Sequence, residues 1–358
     1  MTPSITFVSP FAQAAGSERY LGLVLDGIPR EQIRDVVLLQ NGPFVEEVRR
    51  RGLPVSVWPT GAGPLAILGA VRRLHRHLAD DAPDLVHANG IKAALVAVLA
   101  TLGTRTGVVW VKHDLSFDRS LARPVALGCR LVVGVSEAAV RVFRSRKKVR
   151  IVPNALPPTK VTREARNENF REIALVGRLY SMKGQHELLE AAPELAARIP
   201  GVSIAFVGPE DSSVPEYAAG LRHRTAELGL EDVVTFVGGV EDAALYMAGS
   251  DVVVIPSVPA ERGNTESFSL VALEAMAVGT PVVAYAEGGL PEVLGDCALL
   301  VPTGDRKGLV DALVRVLEDE ELASRLAACG RERSATEFTL DRMLESLQAC
   351  YREAARPS

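Results

Sequence analysis

The sequence predicts an α/β protein made of two doubly wound parallel sheets with a cleft between them, and three observations predict it. Short β-branched runs alternate with helix-length segments along nearly the whole chain. Runs such as DVVVIPS (Asp251–Ser257) are apolar almost throughout, the pattern of strands covered by helices on both faces. The alternation is interrupted once, at PPTKVTREARNENF (Pro157–Phe170), a polar, proline-led stretch without periodicity that reads as an interdomain linker. At 358 residues the chain is long for one core, and two domains of about 150–200 residues are the natural expectation.

Taken in order, ITFVS (Ile5–Ser9) is the first strand candidate, and PFAQAAGSERYLGLVLDG turns from it into a helix. Strand patterns follow at Asp35–Gln40, Val55–Pro59, Asp84–Asn89, Gly107–Asp114, Arg130–Ser136 and Val149–Leu156. Beyond the linker the pattern resumes at Arg171–Leu179, Val202–Pro209, Val233–Val240, Asp251–Ser257, Pro281–Ala286 and Ala298–Pro302. Helical segments at Lys307–Glu318, Glu320–Ser334 and Leu340–Ala355 finish the chain. Ligands of such sheets bind beyond the carboxyl ends of the strands, so the residues that follow each strand are the ones to read for chemistry.

Composition narrows the classes. The longest apolar stretch, Ile91–Gly103, carries Lys92 and falls short of a membrane span. The opening ITFVSP is too short for a secretory leader and no basic region precedes it, so none is expected. Cys129, Cys297, Cys329 and Cys350 show neither metal-ligand spacing nor a disulfide framework, which fits a reducing cytoplasm. Residues 1–160 hold 22 Lys and Arg against 12 Asp and Glu, whereas residues 161–358 hold 18 against 32, so the two halves are expected to meet different ligands. Arg outnumbers Lys, which reflects a GC-rich bacterial genome better than nucleic-acid binding.

The most informative stretch is PSVPAERGNTESFSLVALEAMAVGTPVVA (Pro256–Ala284). Ser267–Val278 is apolar over a helical length, closed by Gly279 and followed by Pro281. Glu266 and Glu274 bracket its first two turns, and eight helical positions would separate their Cα atoms by ~12 Å. The amides of Phe268, Ser269 and Leu270 lie between them, at the end of a helix that favours an anion. Glu266 also admits a structural reading, as an acid complementing the helix dipole. Glu274 is surrounded by apolar neighbours, so its carboxylate needs hydrogen-bond donors, and a pair of ribose hydroxyls would serve.

VGRLYSMKG (Val176–Gly184) follows the first strand of the second half. Arg178 leaves the strand tip and Lys183 is expected to open the next helix, where a cation is electrostatically wrong unless an anion is held there. An Arg fork and a Lys point charge suit a diphosphate. In the first half, AAGSE (Ala14–Glu18) is a small-residue turn that lets backbone amides approach a ligand. It is not a dinucleotide fingerprint, because no GxGxxG accompanies it. His113 stands at the tip of VVWVKHD, where it can donate to a substrate hydroxyl or polarise a reacting centre; a structural role is the alternative.

Together these residues resemble the retaining nucleotide-sugar glycosyltransferases of family 4, with the two-domain GT-B fold, over nearly the whole chain. The resemblance rests on AGSERY (Ala15–Tyr20), VKHD (Val111–Asp114), VGVSEA (Val133–Ala138), VPNAL (Val152–Leu156), VGRLYSMKG, the Pro256–Ala284 stretch and GGLPEV (Gly288–Val293). It implies two Rossmann-like domains: residues 1–160 with a returning helix at 340–358 on the acceptor side, and residues 171–339 binding the donor. It implies that Arg178 and Lys183 hold the donor diphosphate, that Glu274 binds ribose, and that Glu266 contacts the donor sugar. Phe268, Ser269 and Leu270 would present amides, His113 would lie over the sugar, and Gly16 would line the cleft. No cofactor and no metal are expected. The family's usual glycines are replaced by Ala15, Ser267 and Ser269, and the loop carrying Glu261, Arg262 and Asn264 is long, so the departures flank the sugar pocket.

The expected reaction is transfer of a sugar, from a UDP-sugar first of all, to an acceptor hydroxyl with retained configuration. The basic runs RRLHRH (Arg72–His77) and RVFRSRKKVR (Arg141–Arg150) suggest an anionic acceptor or an anionic membrane surface, with ordinary solvated helix faces as the alternative. Bacterial surface glycan or glycolipid assembly in the cytoplasm, at the inner face of the membrane if those runs touch lipid, is the leading reading. Natural-product glycosylation, a nucleotide-sugar epimerase on the same fold and a non-catalytic partner subunit are the alternatives. No nucleic-acid partner is expected.

Overall fold

The computed structural model describes residues 2–13, 16–80, 82–163, 171–260 and 265–356. The chain forms two compact units, Met1–Ala155 with Leu340–Ser358, and Leu156–Thr339. In the first, strands β1 (Ile5–Ser9), β2 (Ile33–Leu38), β3 (Val55–Val57), β4 (Leu85–Asn89), β5 (Gly107–Lys112), β6 (Leu131–Gly134) and β7 (Val149–Ile151) form one sheet in the order β3-β2-β1-β4-β5-β6-β7. In the second, β8 (Arg171–Val176), β9 (Val202–Val207), β10 (Val234–Gly238), β11 (Val252–Ile255), β12 (Val282–Tyr285) and β13 (Leu299–Val301) are ordered β10-β9-β8-β11-β12-β13. The strand pairs are parallel. Each sheet therefore reverses its winding once, between β1 and β4 in the first and between β8 and β11 in the second. Those are the points at which the loops leaving adjacent strands diverge and open a crevice.

Both faces of the first sheet are buried, as a doubly wound sheet requires. Ile5, Phe7, Val109 and Val111 fill one face, while Val8, Val108 and Trp110 fill the other. The helix Leu340–Ala355 packs on the first of these faces through Met343, Leu347, Cys350, Tyr351 and Ala354, a single stripe at helical spacing. Gly27, at the end of the helix Gly16–Gly27, lies so close to it that a Cβ there would sit 2.2 Å from Leu344. The sequence thus ends on a helix that belongs to the first unit's core, not the second's.

Two expectations are corrected. Cys297 and Cys329, 32 residues apart, are joined in a disulfide, because the segment after the short helix Leu290–Leu294 is brought against the helix Glu320–Glu337. Two half-cystines among four scattered cysteines left no spacing to read, and the cysteine argument for a reducing compartment falls with them. Cys129 and Cys350 are free and buried. The helix expected from Ser267 begins only at Leu270. Of the expected linker, residues 157–163 have no regular structure, but Arg163 is anchored through its amide to the Val278 carbonyl and its guanidinium to Asp251. Among the described residues, no helix is long and apolar enough to cross a membrane.

His87 on β4 is fully buried and shares a 2.6 Å hydrogen bond with the Tyr351 hydroxyl, tying the last helix to the sheet. Burial first, then the neighbouring His113 ring, lowers its pKa to about 3. The unfolded chain takes up a proton near pH 6.5 that the fold refuses, so stability complete above that pH is lost as pH falls toward 3. Urea unfolding between pH 6.5 and 4 should show His87→Gln flattening this loss by about 1.4 kcal/mol per pH unit. An unchanged slope would mean that His87 is protonated in the native state.

Candidate active site

The reversal between β8 and β11 assembles the second unit's charged residues. After β8 the chain runs through Gly177 and Arg178 into a 3-10 turn, Ser181–Lys183, and then through Gly184 into the helix Gln185–Arg198. Lys183 therefore precedes the helix instead of opening it, because Gly184 at φ +75° bends the backbone first. A Cβ on Gly184 would lie 1.8 Å from the Pro256 carbonyl oxygen, so only glycine lets the β8 and β11 loops touch. The Val258 amide donates to the Met182 carbonyl at 3.0 Å and stitches the same two loops together.

This contact sets Lys183 Nζ 2.7 Å from Glu266 Oε2, although 83 residues separate them. The Ser257 hydroxyl donates to the same oxygen at 3.4 Å. From the other side, the Gly289 amide donates to the Glu266 carbonyl at 2.8 Å, and a Cβ on Gly288 would come within 1.9 Å of that oxygen. The GGLPEV motif is thus a backbone shelf beneath Glu266. Both members of the pair are largely buried, with side-chain exposures of 23% and 11%.

Phe268 turns its ring into the core against Phe338, at 5.7 Å between centroids. Ser269 caps the helix Leu270–Val278, its hydroxyl accepting from the Ala272 amide, and does so at φ +76°. Glu274 is 7% exposed on that helix, whose remaining residues are apolar. Since the helix starts at Leu270, the spacing from Glu266 to Glu274 is not the helical rise that the sequence suggested.

Arg178 pairs with a different carboxylate. Its guanidinium points to Asp211 at 2.7 Å and is 59% exposed. Asp211 is held below the usual carboxylate range by the hydroxyl and amide of Ser213, and then by Arg178 itself. Nothing in the sequence flagged Asp211, which lies beyond the tip of the adjacent strand.

In the first unit, Gly16 begins the helix after β1, while Ala14 and Ala15 lie outside the described residues, as do Glu261, Arg262 and Asn264. At the reversal between β1 and β4, Asn89 donates through Nδ2 to the Ser17 carbonyl at 3.1 Å and to the Ser9 hydroxyl at 3.3 Å. Its Oδ1 faces His113 Nε2 at 2.6 Å. A backbone carbonyl only accepts, so Ser17 fixes which way the Asn89 amide faces. Asn89 Oδ1 likewise only accepts, so His113 carries its proton on Nε2 and its lone pair on Nδ1. Burial and then the charge of Lys112 lower the His113 pKa to about 3. The ring is therefore neutral, with its Nε2 proton directed to Asn89. Lys112 is itself buried, paired with Asp118 at 2.6 Å and donating to the Asp114 carbonyl. In the sequence Asn89 shows only as a polar residue at a strand tip.

Comparison with known proteins decides the family. Residues 14–160 match the family described as Glycosyltransferase Family 4, and residues 158–333 match Glycosyl transferases group 1. A D-inositol 3-phosphate glycosyltransferase of Actinosynnema mirum is 37% identical, over 97% of this chain and 88% of that one. The chain belongs to the family 4 glycosyltransferases. Another enzyme of that name, from Saccharomonospora viridis, is 40% identical over 51% of this glycosyltransferase, a match that spans only 42% of the relative. Among solved structures, Anabaena HepE in complex with UDP and glucose superposes with a TM-score of 0.81 at 25% identity, covering 96% of this chain and 98% of that one. Sucrose-phosphate synthase of Thermosynechococcus elongatus superposes at 0.77 with 23% identity, covering 98% of each. The fold class is GT-B.

Ser269 carries a left-handed backbone that costs a non-glycine residue about 1–3 kcal/mol. Ser269→Gly relieves that strain and loses a few tenths of a kcal/mol at the cap. The expected outcome is a gain of about 1 kcal/mol in denaturant unfolding of the chain. A loss would show that the serine conformation is unstrained.

Proposed function

We propose that this glycosyltransferase moves a hexosyl group from a UDP-sugar to the hydroxyl of a small anionic acceptor, with retention at the anomeric carbon. The observation that carries the donor half is the Lys183–Glu266 pair, set beside the backbone of Phe268, Ser269 and Leu270 at the reversal of the second sheet. A carboxylate gives Lys183 one negative charge, whereas a diphosphate offers at least two. At an effective dielectric near 20, each unit charge at 4 Å is worth about 4 kcal/mol, so the lysine favours the diphosphate. Glu266 is then released toward the sugar, and Glu274 supplies the carboxylate for ribose. Arg178 would join by leaving Asp211, from an exposed position that leaves it room to turn. That the Anabaena neighbour was solved with UDP and with UDP-glucose supports the choice of base.

In this reading the bond from the anomeric carbon to the phosphate oxygen breaks as the acceptor oxygen bonds on the same face. The acceptor proton passes to the departing phosphate. Lys183, Arg178 and the helix start at Leu270 stabilise the charge on the leaving group, so no metal is required. His113, neutral with an accepting Nδ1, contributes polarity rather than a proton.

The relative named for D-inositol 3-phosphate, matched over nearly its whole length, supports a phosphorylated polyol acceptor. The membrane-surface alternative loses weight at the second basic run. There Arg146 pairs with Glu137, Arg150 pairs with Glu353, and Lys148 donates to the carbonyls of Leu127 and Cys129. Incubation with UDP-glucose and D-myo-inositol 3-phosphate, with the product's anomeric coupling read by proton NMR, tests the reaction. An α-linked product, formed at the same rate in excess EDTA, is the expected result. A β-linked product, or loss of turnover in EDTA, would contradict the mechanism.

A further inference from the structure

Glu287, the residue immediately before the GGLPEV motif, carries a carboxylate that the donor chemistry leaves unused. Its backbone is fixed on both sides. The amide donates to the Tyr285 carbonyl at 2.8 Å, and the carbonyl accepts from the Leu290 amide at 3.0 Å, where the helix Leu290–Leu294 starts. The helix Glu320–Glu337 holds that short helix in turn. Its Arg333 guanidinium donates to the Glu292 and Val293 carbonyls, both at 2.9 Å, and its Cys329 is joined to Cys297. Glu287 therefore stands on an anchored base.

Its carboxylate bridges two loops. Oε1 accepts from the Thr265 hydroxyl at 2.7 Å, and Oε2 accepts from the Thr303 hydroxyl, beyond β13, at 3.0 Å. Thr265 is 4% exposed and directly precedes Glu266. A threonine hydroxyl sits on Cβ of a side chain that is stiff at χ1, so a hydrogen bond to it restrains the backbone as well. The acceptor is ionised, which makes the bond one of the stronger kind.

The residues from 287 to 289 thus grip those from 265 to 267. Glu287 holds Thr265 by its side chain, the Gly289 amide holds the Glu266 carbonyl, and a Cβ on Gly289 would come within 2.1 Å of the Ser267 carbonyl oxygen. The glycine contacts act on Glu266 and the residue after it, whereas the Glu287 bond acts on the residue before it. Held on both sides, the segment has little freedom to swivel, and the Glu266 carboxylate keeps the direction in which Lys183 and Ser257 meet it.

We propose that Glu287 is a positioning residue for Glu266: through Thr265 it fixes the backbone from which that carboxylate reaches the donor sugar, without touching the substrate itself. The inference rests on the reading of Glu266 as the contact to the sugar and of Lys183 as the grip on the diphosphate. It assigns Glu287 to the first of these and not to the second.

Calorimetry of UDP-glucose and of UDP on the full chain reads the sugar contact as the ratio of the two affinities. Glu287→Ala should lower the ratio of UDP-glucose to UDP affinity about tenfold, the worth of one misplaced charge-assisted hydrogen bond, and leave UDP affinity unchanged. Glu287→Gln should restore most of the ratio, because its amide can still accept from Thr265 and can donate to the Thr303 oxygen. Thr265→Val removes only the hydroxyl and should reproduce the loss, and the double variant with Glu287→Ala should lose no more than either single one. An unchanged ratio in Glu287→Ala and Thr265→Val, losses that multiply in the double variant, or Glu287→Gln as deficient as Glu287→Ala would overturn the role. An unchanged ratio in Glu266→Ala, or failure of the wild-type chain to bind UDP, would instead overturn the donor reading, and this inference with it.

Discussion

The contact between Lys183 and Glu266 is the constraint on which the second unit's chemistry depends. Neither residue is near the other in sequence: Lys183 closes a short 3-10 turn, and Glu266 lies in the loop before the helix Leu270–Val278. They meet because Gly184 lets one loop touch the Pro256 carbonyl and because Gly288 and Gly289 hold the Glu266 backbone from beneath. Three backbone contacts thus place one ion pair. A partly buried pair of this kind adds little net stability, since desolvation offsets most of the Coulomb gain, but it keeps two charged groups in register. In the proposed reaction that register is the useful property. The carboxylate keeps the lysine compensated until a diphosphate replaces it.

The first unit has the same topology with different chemistry at its reversal. Its sheet also reverses once, and the tip of β4 there carries Asn89 instead of a charge. A chain of donor and acceptor constraints runs from the Ser17 carbonyl through Asn89 to His113 and leaves the imidazole with one defined tautomer. Behind it, His87 and Tyr351 connect the same strands to the last helix. The imidazole itself is therefore neutral, and the charge beside it, Lys112, is compensated by Asp118.

The fold was legible because strand and helix periodicities and a single polar linker are properties of local sequence. Candidate residues could be named where a motif concentrates them, as at Glu266, Glu274 and Lys183, and the structure brings two of these, Lys183 and Glu266, together. What could not be read were relations across the chain. The partnership of Arg178 with Asp211, the disulfide between Cys297 and Cys329, and the role of Asn89 each depend on which loops the topology brings together. The start of the helix at Leu270 was missed for another reason. The residues from Ser267 are apolar enough to continue it, but backbone packing against Gly288 and Gly289 holds Glu266 and Ser267 outside the helix, and Ser269 takes a left-handed turn. Tertiary contact overrode local propensity there.

The central claim is that Lys183 grips the donor diphosphate. Calorimetry of UDP against uridine, on the wild-type chain and on Lys183→Met, isolates that grip from contacts to the base and ribose. A charge-assisted hydrogen bond worth about 1.5–3 kcal/mol predicts that the preference for UDP over uridine shrinks by about 10- to 100-fold in the variant while uridine affinity stays the same. An unchanged UDP-to-uridine ratio would contradict the account.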